Sequence, residues 1–213
     1  MHLFFLDFET TGLNPYQSEI VEVAVKKYGE TESYDTLMKP KKLPPGIVTY
    51  IPPYITSING ITDQMIQQEA ISKSEAFYKV LQYIEKHSKE EGPIYIVSHN
   101  GTVFDFIFFR RLLSENIEKR KFTRFKETFI KRFQYIDSLL LAKLFLNEKV
   151  GQPNLCKKYG FVNEAEHRAL GDVNALESIY ISLCKDFSKK MAIMDEDYFI
   201  NHPEEINQYL FLN

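Results

Sequence analysis

The 213-residue chain has no tryptophan, two cysteines, nine glycines and a formal net charge of −3. Each shortage excludes something. Cys156 and Cys184 cannot make a spaced metal-binding set and read as buried free thiols, the form a reducing compartment preserves. A negative net charge excludes a global positive field, so any surface for a polyanion has to be local. The apolar opening Leu3-Phe4-Phe5-Leu6 stops at Asp7, too early for a signal peptide, and no later run has the length of a membrane span. An intracellular protein with no membrane partner is therefore expected. Arginine is scarce as well, six against twenty lysines, a bias that reflects no physical demand. What remains is ordinary for a globular domain, with 44% hydrophobic and 26% charged residues.

Residues 2–8, 19–28 and 32–39 are rich in Val, Ile, Phe and Tyr and read as strands. Their short links favour an antiparallel meander. Five of the nine prolines fall in residues 40–53, which should be irregular. Thr62 opens a short helix, and Ser72-Lys73-Ser74-Glu75 is a capping-box pattern that opens a longer one to about Lys89. Beyond Gly92-Pro93, residues 94–98 form a strand apolar enough to be buried on both faces. A helix over 103–115, a strand over 134–137 and helices over 138–146, 154–159 and 169–186 follow, with Gly160 as a stop. This order predicts an α/β fold: a mixed sheet of three antiparallel strands, then parallel strands, flanked by helices. Residues 1–188 are expected to form the domain and 189–213 a tail, in which Asn201-His202-Pro203 caps a last helix over 204–211.

The chemistry lies in the acids. Asp7 and Glu9 stand at i and i+2 on a strand end, so both carboxylates leave one face. Gly12, in the Thr10-Thr11-Gly12-Leu13 segment that follows, lets backbone approach a ligand. Asp105 ends His99-Asn100-Gly101-Thr102-Val103-Phe104-Asp105, beside the apolar stripe Phe104, Ile107, Phe108 and Leu112. An acid there is costly without a partner, although it also suits a helix N-terminus. In His167-Arg168-Ala169-Leu170-Gly171-Asp172, five helical residues would turn the ends roughly 140° apart. His167 is thus placed on a movable loop before the helix, and Asp172 on its first or second turn. Each residue has a bland reading alone: a solvated strand end, a helix-start acid, a surface histidine. Together, four carboxylates at the strand ends and helix starts of one sheet would repel. Divalent cations relieve that, and Mg²⁺ prefers carboxylate oxygen with water and phosphate. A neighbouring histidine titrates near neutral pH and can take a proton from water.

These residues resemble the DnaQ-like, DEDDh 3′→5′ exonuclease family. Phe5-Leu6-Asp7-Phe8-Glu9-Thr10-Thr11-Gly12-Leu13 is similar to its first motif, Ser98 to Asp105 to its second, and His167 to Asp172 to its third. Ile58-Asn59-Gly60-Ile61-Thr62 and Tyr135-Ile136-Asp137-Ser138 are similar to two further regions, so the resemblance covers residues 2–187. The form H-N-G-x-x-x-D-F is closer to the TREX-type DNA exonucleases, whereas Thr-Thr-Gly-Leu looks like the proofreading branch. The resemblance implies a ribonuclease H-like fold and metals held by Asp7, Glu9, Asp105 and Asp172. It implies two Mg²⁺ ions, with Mn²⁺ substituting: one lowers the pKa of the attacking water, whose proton His167 accepts, and one stabilises the leaving 3′ oxygen. It implies release of nucleoside monophosphates from single-stranded or unpaired 3′ ends of DNA, with substrate contacts at Thr10, Leu13, Ile58 and Asn100. Core packing competes for Leu13 and Ile58. An exoribonuclease and a proofreading subunit acting with a polymerase are the alternatives. A binding module on a dead nuclease fold is opposed by the complete acidic set. A polymerase or a second copy of the chain stay open as partners.

One basic segment stands out. Residues 119–133 carry seven Lys or Arg against one acid, Glu127, with Phe122, Phe125, Phe129 and Phe133 at helical spacing. The pattern suits an amphipathic helix with packed rings and a basic outer face that guides nucleic acid; rings that stack on bases, and a basic face that is merely solvated, are the alternatives.

Overall fold

Alternation along the first strand decides how the layers are built. In the computed structural model, which describes residues 2–40, 51–89, 91–118 and 124–211, strand β1 (His2–Thr10) is apolar on both sides. Phe4, Leu6 and Phe8 enter one core, and Leu3 and Phe5 enter the other. A strand buried on both faces belongs at the centre of a sheet. β2 (Ile20–Lys27) pairs antiparallel with β1, and β3 (Ser33–Lys39) antiparallel with β2, which is the expected meander. On its other edge β1 runs parallel to β5 (Ile94–Ser98), and β6 (Phe133–Asp137) runs parallel to β5. A two-residue strand, β4 (Ile71–Ser72), extends the β3 edge, giving the order β4-β3-β2-β1-β5-β6. The sequence pattern had no room to announce so short a strand.

Helices α3 (Lys73–Lys86) and α4 (Asp105–Glu118) cover one face, with Phe77, Phe108 and Phe109 in its core. The other face is covered by α6 (Ser138–Lys143), α7 (Gln152–Tyr159) and α8 (Ala169–Lys190). Two short helices, α1 (Pro53–Asn59) and α2 (Asp63–Glu69), close a third cluster over Val21 and Leu37. Local signals set several ends. The Thr62 and Ser72 hydroxyls accept from Met65 and Glu75 N–H at 3.2 Å each, and α7 stops at Gly160 in the left-handed region.

Two expectations need correction. The helix expected from Val103 starts at Asp105: Gly101–Val103 is a 3₁₀ turn, entered through Asn100 at φ 65°. The cause is Asp137, whose carboxylate accepts from Asn100 and Thr102 N–H at 3.0 and 2.9 Å and bends the chain before α4. The basic segment is not a continuous helix either. Its residues 119–123, Lys121 and Phe122 among them, lie outside the described residues. Beyond them α5 spans only Glu127–Ile130 before β6 takes over. Phe125, Phe129 and Phe133 are buried, as solubility requires. Arg124 pairs with Glu85 at 3.1 Å and Lys131 with Glu127 at 2.7 Å, so this part of the basic run is partly neutralised.

Helices α9 (Tyr198–Asn201) and α10 (Pro203–Phe211) turn back onto α8, burying Phe199, Ile200 and Ile206 beside Phe187. Cys156 and Cys184 are buried free thiols. Among the described residues no helix is long and apolar enough to cross a membrane.

Candidate active site

Because side chains alternate, Asp7 and Glu9 continue the face of Leu3 and Phe5, the face α8 covers. Asp172 lies in the first turn of α8. One carboxylate oxygen from each of Asp7, Glu9 and Asp172 lies within 4.8 Å of the other two. Asp105 comes from the opposite layer. The parallel pairing of β1 with β5 covers His2–Phe5, and beyond it the strand ends diverge. The Phe8 N–H, past that pairing, donates to Asp105 Oδ1 at 3.1 Å. Asp7, Glu9 and Asp172 therefore meet, with Asp105 bonded to β1 beside them, at the carboxyl ends of the parallel strands, where open α/β sheets have the crevice that takes ligands.

Proximity and burial make these acids weak. Burial holds Asp7 well above the usual carboxylate range, helped by the charges of Asp105, Asp172 and Glu9. Burial pushes Glu9 up to about 7, against the pull of a hydrogen bond from Asn59 Nδ2 at 3.2 Å. Asp105 is pushed up to about 8 by burial, against the Phe8 N–H bond. Asp172 is pushed up to about 6 by burial, opposed by its bond from Asn163. Clustered hard oxygens whose charges resist one another fit a hard divalent cation, which favours the ionised forms. The donor set suits Mg²⁺ or Mn²⁺ over thiophilic metals.

His167 sits in the turn before α8 with φ 63°, and its side chain is half exposed. Its N–H donates to Asp172 Oδ2 at 3.1 Å, and its ring Nε2 lies 3.7 Å from Glu166 Oε1. The ring borders an open cleft of about 440 Å³, also lined by Gln152, Lys157, Val162, Asn163 and Asp172. The other predicted contacts divide. Leu13 is 87% exposed and Ile58 52%, which removes core packing as their explanation. Tyr54 of α1 is also exposed, with its hydroxyl near Gly12. Thr10 is buried and donates its hydroxyl to Gly12 O at 2.7 Å, shaping the loop. Asn100 is exposed, with its N–H held by Asp137.

Sequence reasoning missed the polar groups that hold the acids. Asn59 bonds Glu9, Asn163 bonds Asp172 at 2.7 Å, and Gln152 donates to the Asp172 carbonyl at 2.8 Å. Asp137 was detectable, because an Asp between a strand and a helix is an N-cap candidate. Its Oδ1 indeed accepts from Leu139 N–H at 3.0 Å at the start of α6. Isolated loop residues such as Asn163 carry no such pattern.

The fold and acidic crevice are those of a nucleic-acid hydrolase class. The exonuclease family model RNase_T matches residues 4–180, and the chain belongs to that family. The Arabidopsis thaliana chloroplastic/mitochondrial exonuclease DPD1 is 30% identical over 204 residues, 89% of this chain and 57% of that protein. The PolC-type DNA polymerase III of Thermotoga maritima is 31% identical over 192 residues, 88% of this chain but 12% of the polymerase. An oligoribonuclease of Tropheryma whipplei is 29% identical over 119 residues, 54% of this chain and 62% of that protein. The chain thus spans less than two thirds of each of these relatives. Exonuclease I of E. coli in complex with a dT13 oligonucleotide aligns with a TM-score of 0.66 and 18% identity, over 94% of this chain and 43% of that one. Exonuclease X in complex with 5′ overhanging duplex DNA aligns with a TM-score of 0.53 and 21% identity, over 86% of this chain and 92% of that one. The architecture is the ribonuclease H-like mixed sheet.

Proposed function

We propose that this chain is a 3′→5′ exonuclease that uses divalent metal ions to release nucleoside monophosphates from unpaired ends of DNA. The observation that carries the reading is the convergence of Asp7, Glu9 and Asp172 within 4.8 Å, with Asp105 bonded to the Phe8 N–H between the first two. Two Mg²⁺ ions, or Mn²⁺ in their place, would be held by these carboxylates and supply charge stabilisation to the scissile phosphate. The half-exposed His167 ring accepts the proton of the attacking water. Leu13 and Ile58 offer apolar surface to an unpaired terminal base, and the backbone beyond Glu9, at Thr10, meets its sugar and phosphate. Asn100, exposed in the turn before α4, is the further substrate contact in this reading. DNA is preferred to RNA in this reading because the exonuclease I and exonuclease X complexes contain DNA and the PolC-type relatives are DNA polymerases. The PolC similarity also favours, as a second reading, action beside a polymerase.

The test is a timed digestion of end-labelled DNA and RNA oligomers with Mg²⁺. A 5′ label should remain on shortening fragments and leave last, and His167→Ala should lower the chemical rate by ~10²–10⁴ while metal still binds. Undiminished hydrolysis in excess EDTA would overturn the metal assignment. Early release of labelled 5′ mononucleotides would reverse the polarity, and faster digestion of RNA than DNA would move the chain to the RNA branch.

A further inference from the structure

One buried acid beside the crevice has no part in the reading above. Glu22, on β2, pairs in register with Glu9 and is 3% exposed. By position it resembles a fifth metal ligand. Its oxygens are otherwise engaged: Oε1 accepts from Arg168 Nη2 at 2.6 Å and from Arg168 Nε at 3.1 Å. Oε2 accepts from Arg168 Nε at 3.1 Å and from the Ala169 N–H at 3.0 Å. A forked guanidinium on a carboxylate fixes direction as well as distance, and the Ala169 N–H is one of the otherwise unpaired donors at the start of α8.

We propose that Glu22 is a positioning residue that clamps Arg168 and the start of α8 to the sheet, thereby presenting His167 and Asp172 to the crevice. His167 directly precedes Arg168, and its left-handed backbone sends the two side chains apart, one to the cleft and one to Glu22. Arg168 is held along the main chain too: its N–H donates to Ala165 O at 3.1 Å, and its carbonyl accepts from the Asp172 N–H at 3.0 Å. The clamp therefore locates the peptide on either side of His167 and the first turn that carries Asp172. A cation bound to Glu22 also keeps a further negative charge from adding in full to the repulsion at Asp7 and Glu9, both of which Glu22 pushes upward.

The inference rests on the exonuclease reading for its activity arm only. Glu22→Ala and Arg168→Ala should each lower kcat on a single-stranded oligomer by ~10- to 100-fold, the scale of a small misplacement of a reacting group. KM and the number of Mn²⁺ ions bound should not change. Because both residues act through one clamp, the double variant should be no slower than the slower single one. Arg168→Lys, which replaces the fork with one point charge, should recover part of the rate. Without substrate, backbone amides of residues 165–172 should exchange faster in both variants. Loss of one Mn²⁺ in Glu22→Ala but not in Arg168→Ala, which breaks the same clamp, would make Glu22 a ligand and overturn the proposal. Multiplying losses in the double variant, or wild-type kcat and exchange in the single ones, would overturn it equally. If Glu22→Ala does not fold, Glu22→Gln and the partly exposed Arg168→Ala carry the same comparison. A wild-type protein with no nuclease activity would sink the exonuclease reading, while the exchange experiment would still decide the clamp.

Discussion

Asp7 combines burial with four acidic neighbours, and the consequence for stability has a definite sign. Its folded-state pKa lies well above the usual value, as do those of Glu9 at about 7 and Asp105 at about 8. An unfolded carboxylate titrates near ~4, so between that pH and the folded values the native state holds more protons than the unfolded chain. Stability from this cluster is then present at low pH and lost as pH rises through the folded pKa values. In EDTA, Asp7→Asn should gain in melting temperature over wild type as pH is raised from about 5 to about 8. Added Mg²⁺ should stabilise wild type more than the variant, because a ligand that binds only the native state raises stability by mass action. A melting difference that stays flat across that range would show that the cluster is not strained by its charges. At this scale the sequence was readable where alternation alone decides, as for Asp7 and Glu9. It was silent on Asn59 and Asn163, whose partners are chosen by tertiary packing.

Among the elements, the turn before α8 is packed directly against the first turn of the helix it precedes. A Cβ on Gly171 would lie 2.3 Å from Ala165 O and 2.8 Å from Ala165 Cβ, so the helix start and the turn touch backbone to backbone. Gly171→Ala should therefore displace residues 163–168 and lower kcat by about 10²-fold, with metal binding by Asp7 and Glu9 largely kept. Wild-type turnover in that variant would mean that the turn can shift without moving His167. The turn is bonded at both ends, to Asp172 through Asn163 and His167 and to Glu22 through Arg168. Element boundaries were legible where the cap is local, as at Thr62, Ser72 and Gly160. They were not legible where the cause is distant: Asp137 delays α4 from 32 residues downstream. Of the proline-rich stretch expected to be irregular, residues 41–50 lie outside the described residues, residues 51 and 52 are irregular, and only its last residue is helical. Pro53 sits in the first turn of α1, where its missing N–H costs nothing, so a proline read as a loop marker opened a helix.

For the molecule as a whole, the mixed sheet of antiparallel then parallel strands followed from the strand pattern, and the packing of the final helices did not. Phe199 is fully buried between Phe187 and Tyr209, with ring centroids 4.7 and 6.0 Å away. Phe199→Ala should cost about 3–5 kcal/mol of folding stability, read by denaturant titration, and leave kcat of the folded fraction unchanged. A loss below about 1 kcal/mol would mean that the last helices contribute little to the fold.

The bond from Phe8 N–H to Asp105 joins residues 97 apart, and Asp172 arrives later still. No fragment that stops short of Asp172 carries the whole set of carboxylates. During synthesis, then, the first two acids emerge early but have nothing to act with until the start of α8 has been made and docked. An enzyme of the exonuclease family is born beside a ribosome made largely of RNA, and it stays chemically silent until the first turn of α8, with Asp172, has been translated and docked.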